Sequence, residues 1–234
     1  MKNNLTLDFF NEKLLDLEYQ IGKDKEKHWF ITEKNKKGKT KLKQLLSFSS
    51  LLKEFTREKY ESIPLNILEA AQERGKDYHK KVQTFFELKK YRDREKYLKG
   101  LQEQEIIQTI KYINLKKKSL IGAEIGIYDN NYIGFVDLLF KKGDTITIIE
   151  LKTGNYDKIK EEWKWQILFY RELIKSYFKK HLGIELEDRK LISEVILINH
   201  KTKKVIAEKI RYAHTYILWK NYQKLREQVL KCLG

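Results

Sequence analysis

The sequence predicts an α/β fold, with a central mixed β-sheet that contains an antiparallel three-stranded meander and is flanked by helices. Three observations predict it. Hydrophobic spacing changes from helical to extended near residue 120 and returns to helical near residue 158. Two turn signals, "DNN" at 129–131 and Gly143–Asp144, divide the extended stretch into three apolar runs. Two more short apolar runs, "SEVILINH" and "KVIAEKI", follow a long aromatic helix.

The chain has 234 residues, 41% of them hydrophobic, which suits one globular domain with a sizeable core. Its net charge of +16 points to an anionic partner, nucleic acid first. The abundance of Lys, Ile, Asn and Tyr also fits AT-rich codon usage, so charge alone does not decide. Cys232 is the only cysteine, so the chain cannot supply a disulfide, a zinc ribbon or a cysteine-ligated iron–sulfur cluster from its own thiols. The N-terminus lacks an apolar stretch of signal-peptide length, and no window approaches a membrane span. A soluble, cytoplasmic protein without a membrane partner is expected.

In chain order, residues 1–46 read as a basic elaboration on a core spanning 47–234, with no linker between them. "HWFITEKNKKGKTKLKQLL" suggests a hairpin turning at Lys37–Gly38, and "SFSSLLKEF" a serine-capped helix start. The next helix contains the only proline. Ser62 is placed at its N-cap and Pro64 in its first turn, where a missing N–H costs little. Leu65, Leu68, Ala71, Tyr78, Val82, Phe85 and Phe86 follow helical spacing. A charged helical segment from Arg92 to Lys117 reads as an arch or flap. Strands follow at 121–128, 132–141 and 145–152. The aromatic helix begins near Lys158, with Gly183 as its stop. The final strand pair turns around Lys201–Lys203, and a C-terminal helix runs from His214 to Leu233.

The turns fix a register. If Gly143 and Asp144 form a two-residue loop, Lys142 pairs with Thr145 and Asp137 lies opposite Glu150. Lys152, two residues on, shares the face of Glu150. If Asn130 and Asn131 form the preceding loop, Glu124 lies opposite Asp137. Three carboxylates in one row repel, so either their pKa values rise or a cation sits among them. All-oxygen donors favour Mg²⁺ or Mn²⁺ over zinc. Glu-X-Lys by itself carries little weight, because Glu87–Lys89, Glu162–Lys164 and Asp188–Lys190 have the same spacing on expected surface. Glu150–Lys152 differs: it ends an apolar strand, faces an aspartate, and is followed by Thr-Gly and a helix.

With "GFVD", "IIELKTG" and "QILFY" in that order, the chain resembles the PD-(D/E)XK nuclease superfamily and, within it, the RecB-type exonucleases. "ERGKDYHKKV" supplies the Arg-Gly-…-His setting expected on the helix before the sheet. The resemblance covers 47–178 and implies a restriction-endonuclease-like core. It implies that His79, Asp137, Glu150 and the backbone carbonyl of Leu151 hold the metal, and that Lys152 positions or activates the attacking water. Gln166 and Tyr170, four apart on one helix face, would hold substrate phosphate or buttress the site. Glu124 joins the metal set on register alone. Arg74, Lys158, Lys164 and Trp163 are candidates for nucleic-acid contact. The N-terminal stretch is also similar to phage and mitochondrial single-strand exonucleases of this branch. A single cysteine sets the chain apart from relatives with a four-cysteine iron–sulfur cluster.

Each residue also has a plainer reading. His79 alone fits a helix surface, Gln166 a polar helix position, and Tyr170 core packing. Trp163 and Trp165 are either core or base-stacking platforms. Lys158, Lys160 and Lys164 either follow a DNA backbone or face solvent. The expectation is a Mg²⁺- or Mn²⁺-dependent deoxyribonuclease, exonucleolytic on single-stranded ends. The alternatives are a structure-specific or restriction-like endonuclease, or a non-catalytic nucleic-acid-binding relative. A basic scaffold with a structural Glu150–Lys152 pair is a third.

Overall fold

The computed structural model describes residues 21–23, 29–34, 40–48, 63–115, 119–129 and 132–210. The elements are β1 (Ile21–Lys23), β2 (Trp29–Lys34), β3 (Thr40–Ser47), α1 (Leu65–Glu87), α2 (Tyr91–Gly100), α3 (Gln104–Asn114), β4 (Ser119–Tyr128), β5 (Tyr132–Lys142), β6 (Thr145–Gly154), α4 (Glu161–Tyr177), β7 (Leu191–Asn199) and β8 (Lys204–Ile210). The Lys37–Gly38 turn, most of "SFSSLLKEF", Ser62, Asn130–Asn131 and the C-terminal helix lie outside the described residues.

β4, β5 and β6 form the expected antiparallel meander. β6 then runs parallel to β7, and β8 returns antiparallel, so the sheet is mixed. β2 and β3 form the expected N-terminal hairpin. β3 joins the main sheet through Leu46–Tyr132 and Ser47–Ile133. Ile133 also pairs with Tyr128 of β4, so β3 must lie on the other edge of β5, the edge that β6 occupies further along. The β5–β6 ladder runs from Lys142–Thr145 to Leu138–Ile149. β5 therefore has β6 beside its second half and β3 beside its start, and the strands part at Asp137.

Helices cover both faces. Leu138, Phe140, Ile149 and Leu151 pack with Tyr78, Val82, Phe85 and Phe86 of α1 and with Ile106, Ile110 and Ile113 of α3. On the opposite face Leu139, Ile146, Ile148, Val195 and Leu197 pack with Ile167, Leu173 and Ile174 of α4. Each such buried side chain is worth about 1.5–3 kcal/mol. α4 passes into a π-helical turn, Phe178–Leu182, and stops at Gly183 with φ +64, as its position in the sequence suggests. Arg171, 3% exposed, anchors α4 to β7: its guanidinium donates to the Leu191 carbonyl at 2.7 Å and pairs with Asp188 at 3.0 Å.

The structure corrects two expectations. Pro64 is the N-cap of α1 rather than a first-turn residue, and its carbonyl accepts from Ile67 and Leu68. Leu65 and Ala71 stay exposed, so the apolar stripe of α1 enters the core only from Tyr78 onward. The segment read as an arch is two helices with different roles. α2 buries no residue, whereas α3 sends Ile106, Ile110 and Ile113 into the core at i, i+4 and i+7.

Candidate active site

The site lies where β5 and β6 part. In the ongoing register Asp137 and Glu150 would be the next facing pair after Leu138–Ile149. Both are buried, at 8% and 2% exposure. The Leu151 N–H, released from the β5 ladder, donates to Asp137 Oδ2 at 2.7 Å. The side chain thus takes the place of a backbone acceptor.

α1 brings His79 to the same place. Gly75 permits the approach: a Cβ there would stand 3.3 Å from Thr153 Oγ1 on β6. One turn later His79 Nδ1 lies 3.2 Å from Asp137 Oδ1. On the other face α4 presents Gln166 and Tyr170. Lys152 Nζ donates to Glu150 Oε1 at 2.7 Å and to Gln166 Oε1 at 2.8 Å. The Gln166 amide donates to Glu150 Oε1 at 2.8 Å and to the Tyr170 hydroxyl at 2.7 Å. Tyr170 fits because residue 134 is glycine; a Cβ there would stand 2.5 Å from its ring.

The electrostatics follow from burial and proximity. Burial, then Asp137, pushes Glu150 up to about 7, against the pull of Lys152 and His79. Burial would raise Asp137 too, but His79, Lys152 and the Leu151 N–H hold it below the usual carboxylate range. For His79 burial disfavours the cation, yet the Asp137 charge and hydrogen bond hold its pKa above that of a free imidazole. Glu150 Oε2 is buried with no hydrogen-bond partner. A carboxylate oxygen left so needs a donor or a cation.

Among the described residues no three His, Cys, Asp or Glu side chains already converge as a cation cage. The donor set nevertheless suits a hard divalent ion: two buried carboxylates close to an imidazole, one with a partnerless oxygen. His79, Asp137, Glu150, Lys152, Gln166 and Tyr170 are therefore all brought together. Glu124 differs from them. Its register is the expected one, flanked by Ala123–Leu138 and Ile125–Val136, but its φ is +48. At this kink the ribbon changes face: Ala123 and Leu138 pack toward α1 and α3, Ile125 and Val136 toward α4. Glu124 is exposed and lines a cavity of about 530 Å³ with His79, Gly75 and Gln83. The three-carboxylate row is thus interrupted there.

The expected nucleic-acid contacts divide. Arg74 and Lys158 are exposed. Lys164 pairs with Glu208 of β8 at 2.8 Å and Glu161 at 3.2 Å, so its charge is already met. Trp163 and Trp165 both pack against the α4-side core, and Trp163 also meets Tyr156 edge-on at 5.5 Å. Several buried polar residues had no sequence expectation, Gln83 and Asn199 among them. Gln83 is 3% exposed in α1, and Asn199 is 2% exposed at the end of β7. An asparagine closing a strand before His-Lys-Thr-Lys-Lys is a weak turn signal that could have marked Asn199.

No curated protein matches the chain. A structure described as "Crystal structure of SSO0001" is 12% identical and covers 96% of this chain and 88% of that one, but its TM-score is 0.30. Likeness at that level carries no argument. A helix-flanked mixed sheet with Asp137, Glu150 and Lys152 at its parting strands fits the family whose sequence model matches over residues 50–228, and the chain belongs to the PD-(D/E)XK nuclease superfamily.

Proposed function

We propose that this single-domain protein is a metal-dependent deoxyribonuclease of the RecB-type branch, an exonuclease acting on single-stranded DNA ends. The observation that carries the reading is the buried carboxylate Glu150, whose Oε2 lacks a partner while Lys152 and Gln166 hold its Oε1. Nucleases of this superfamily typically use divalent metals such as Mg²⁺ or Mn²⁺. Here His79, Asp137, Glu150 and the Leu151 carbonyl would hold the ion, with Glu124 on the His79 side of the cleft. When bound, the ion supplies Lewis-acid stabilisation of the charge that develops on the phosphate.

The chain's own groups do the rest. The Lys152 ammonium is held by Glu150 and Gln166, so it is pre-oriented at the edge of the carboxylates. From there it positions the attacking water and offsets developing negative charge. Gln166 bridges Lys152, Glu150 and Tyr170, so it fixes the whole set against α4. Arg74, Lys158 and Trp163, with Lys164 once freed from Glu208, are the nucleic-acid contacts in this reading, and the +16 charge supports an anionic substrate.

End-labelled linear and closed circular DNA, single- and double-stranded, incubated with Mg²⁺, Mn²⁺ or EDTA, tests this. Metal-dependent loss of labelled single-stranded ends, with circles spared, is expected. Cleavage of closed circles would instead establish an endonuclease. Metal-independent binding without cleavage of any substrate would leave a binding protein.

A further inference from the structure

A second cavity, of about 700 Å³, opens beside the site and has no part in the chemistry above. Its walls include Arg74 of α1, Thr153 and Gly154 of β6, Tyr156, and His200 and Lys201 of the β7–β8 turn. Gly154 lies two residues beyond Lys152, about 7 Å along the strand. The cavity therefore lies within two residues of the lysine along β6, and α1 borders it as well.

Three features make it a built site. It is cationic: Arg74 and Lys201 are exposed, and neither has an ion-pair partner among the described residues. It has an aromatic wall: Tyr156 is 39% exposed, with Lys160 Nζ 3.5 Å from its ring centroid and Trp163 against its edge. Glycine at 154 is what admits that ring, because a Cβ there would stand 2.6 Å from Tyr156. Finally, one buried side chain ties the walls together. Asn199 Nδ2 donates to the Tyr156 carbonyl at 3.0 Å and to Asp157 Oδ1 at 3.1 Å. Asn199 Oδ1 accepts from the Lys201 N–H at 2.9 Å and the Thr202 N–H at 3.0 Å. All four hydrogen-bonding positions of the amide are used, which fixes Tyr156 and Lys201 relative to each other. The His200 N–H adds a bond to the Gly154 carbonyl, while His200 Nε2 is buried without a partner.

We propose that this cavity is a strand-holding subsite for an unpaired nucleotide next to the scissile one, in which Arg74 and Lys201 hold a backbone phosphate and Tyr156 stacks the base. Asn199 is the positioning residue that sets the distance between cation and ring. The proposal rests on the nuclease reading for the direction of the strand, and it adds the reason for selecting single strands. A stacked base must be free of its pairing partner to lie flat on a protein ring.

The test is binding in EDTA, which separates the subsite from catalysis. A fluorescein-labelled oligothymidylate is titrated with wild-type protein and with Arg74→Glu/Lys201→Glu, Tyr156→Ala, Tyr156→Phe and Asn199→Ala. The double charge reversal should weaken binding at least tenfold and flatten the log–log salt slope by about 0.7 for the one phosphate the pair holds. Tyr156→Ala should weaken binding about tenfold, and Tyr156→Phe should restore it. Moving one abasic nucleotide along the oligonucleotide should reveal one position at which Tyr156→Ala no longer matters. Asn199→Ala should lose affinity and the dependence on abasic position together while its melting curve remains cooperative. Wild-type affinity in the charge-reversed and Tyr156→Ala variants, in a protein that still cleaves, overturns the subsite alone. Binding that depends on these residues, in a protein that never cleaves with any metal, supports the subsite and overturns the nuclease reading.

Discussion

The Leu151 N–H donates to Asp137 Oδ2 at 2.7 Å, where the β5–β6 ladder has just ended. One side chain both closes a gap in the sheet and stands at the candidate metal site. Asp137→Asn keeps an oxygen for the Leu151 N–H but removes the charge that His79 and Lys152 face. Cleavage should fall by about 10²-fold or more. The melting temperature should stay within a few degrees. Asp137→Ala, which orphans the N–H, should cost a further ~1–3 kcal/mol of stability. Comparing melting curves and initial rates for the two variants checks this; equal stability in both would remove the structural role.

The Lys152–Gln166–Glu150–Tyr170 network makes a graded prediction. Lys152→Ala should abolish turnover while leaving most DNA affinity, because Lys152 touches Glu150 and Gln166 inside the cleft. Gln166→Ala should reduce turnover less, since Lys152 retains Glu150. Tyr170→Phe removes the acceptor of the Gln166 amide and a bond with the Phe135 backbone but leaves the Lys152–Glu150 pair in place, and should have the smallest effect. Rates under saturating DNA, with binding measured separately, give the order. An unfolded Lys152→Ala protein would mark the pair as structural instead.

Much of this site was legible because turns fix register. Gly143–Asp144 set Lys142 against Thr145, and every later pair followed, including the approach of Asp137 to Glu150. Gln166 and Tyr170 were legible through the resemblance of "QILFY" to a family motif, to which helix spacing added only that residues four apart share a face. What could not be read was geometry that depends on long-range packing. Nothing in "GAEIGIY" signals a positive φ at Glu124, yet that kink interrupts the carboxylate row. Nor does the spacing of Lys164 reveal Glu208, forty-four residues on, which claims its charge. Asn199 gains meaning only when the 154–157 and 200–203 loops are seen side by side.

The raised pKa of Glu150 has a stability consequence with a definite sign. Its folded value, about 7, lies above the ordinary glutamate value of 4.5. The folded state therefore holds a proton that the unfolded state releases, and stability is lost as pH rises from the ordinary carboxylate range through about 7. Glu150→Gln should remove that loss and stabilise the protein at pH 8 in EDTA by about 1–3 kcal/mol, with little gain at pH 4. The same variant should be inactive. Denaturant titrations at the two pH values check it. A variant less stable than wild type at pH 8 would mean that the Lys152 and Gln166 contacts outweigh the burial of the charge.

Asp188 provides the opposite case. Burial would raise its pKa, but Arg171 and Lys175 outweigh burial and hold it below the usual aspartate range. A lowered folded pKa contributes stability that is present above the ordinary aspartate pKa and lost as pH falls through the folded value. Asp188→Asn should therefore lower stability at pH 7 and make little difference at pH 2. Arg171 loses more, because at 3% exposure it also holds the Leu191 and Asp188 carbonyls. Arg171→Ala should cost about 3–5 kcal/mol and loosen α4 from the start of β7. Since α4 carries Gln166 and Tyr170, that variant should lose activity in step with its stability. Activity preserved in a strongly destabilised Arg171→Ala protein would show that the catalytic face of α4 is held by its core contacts alone.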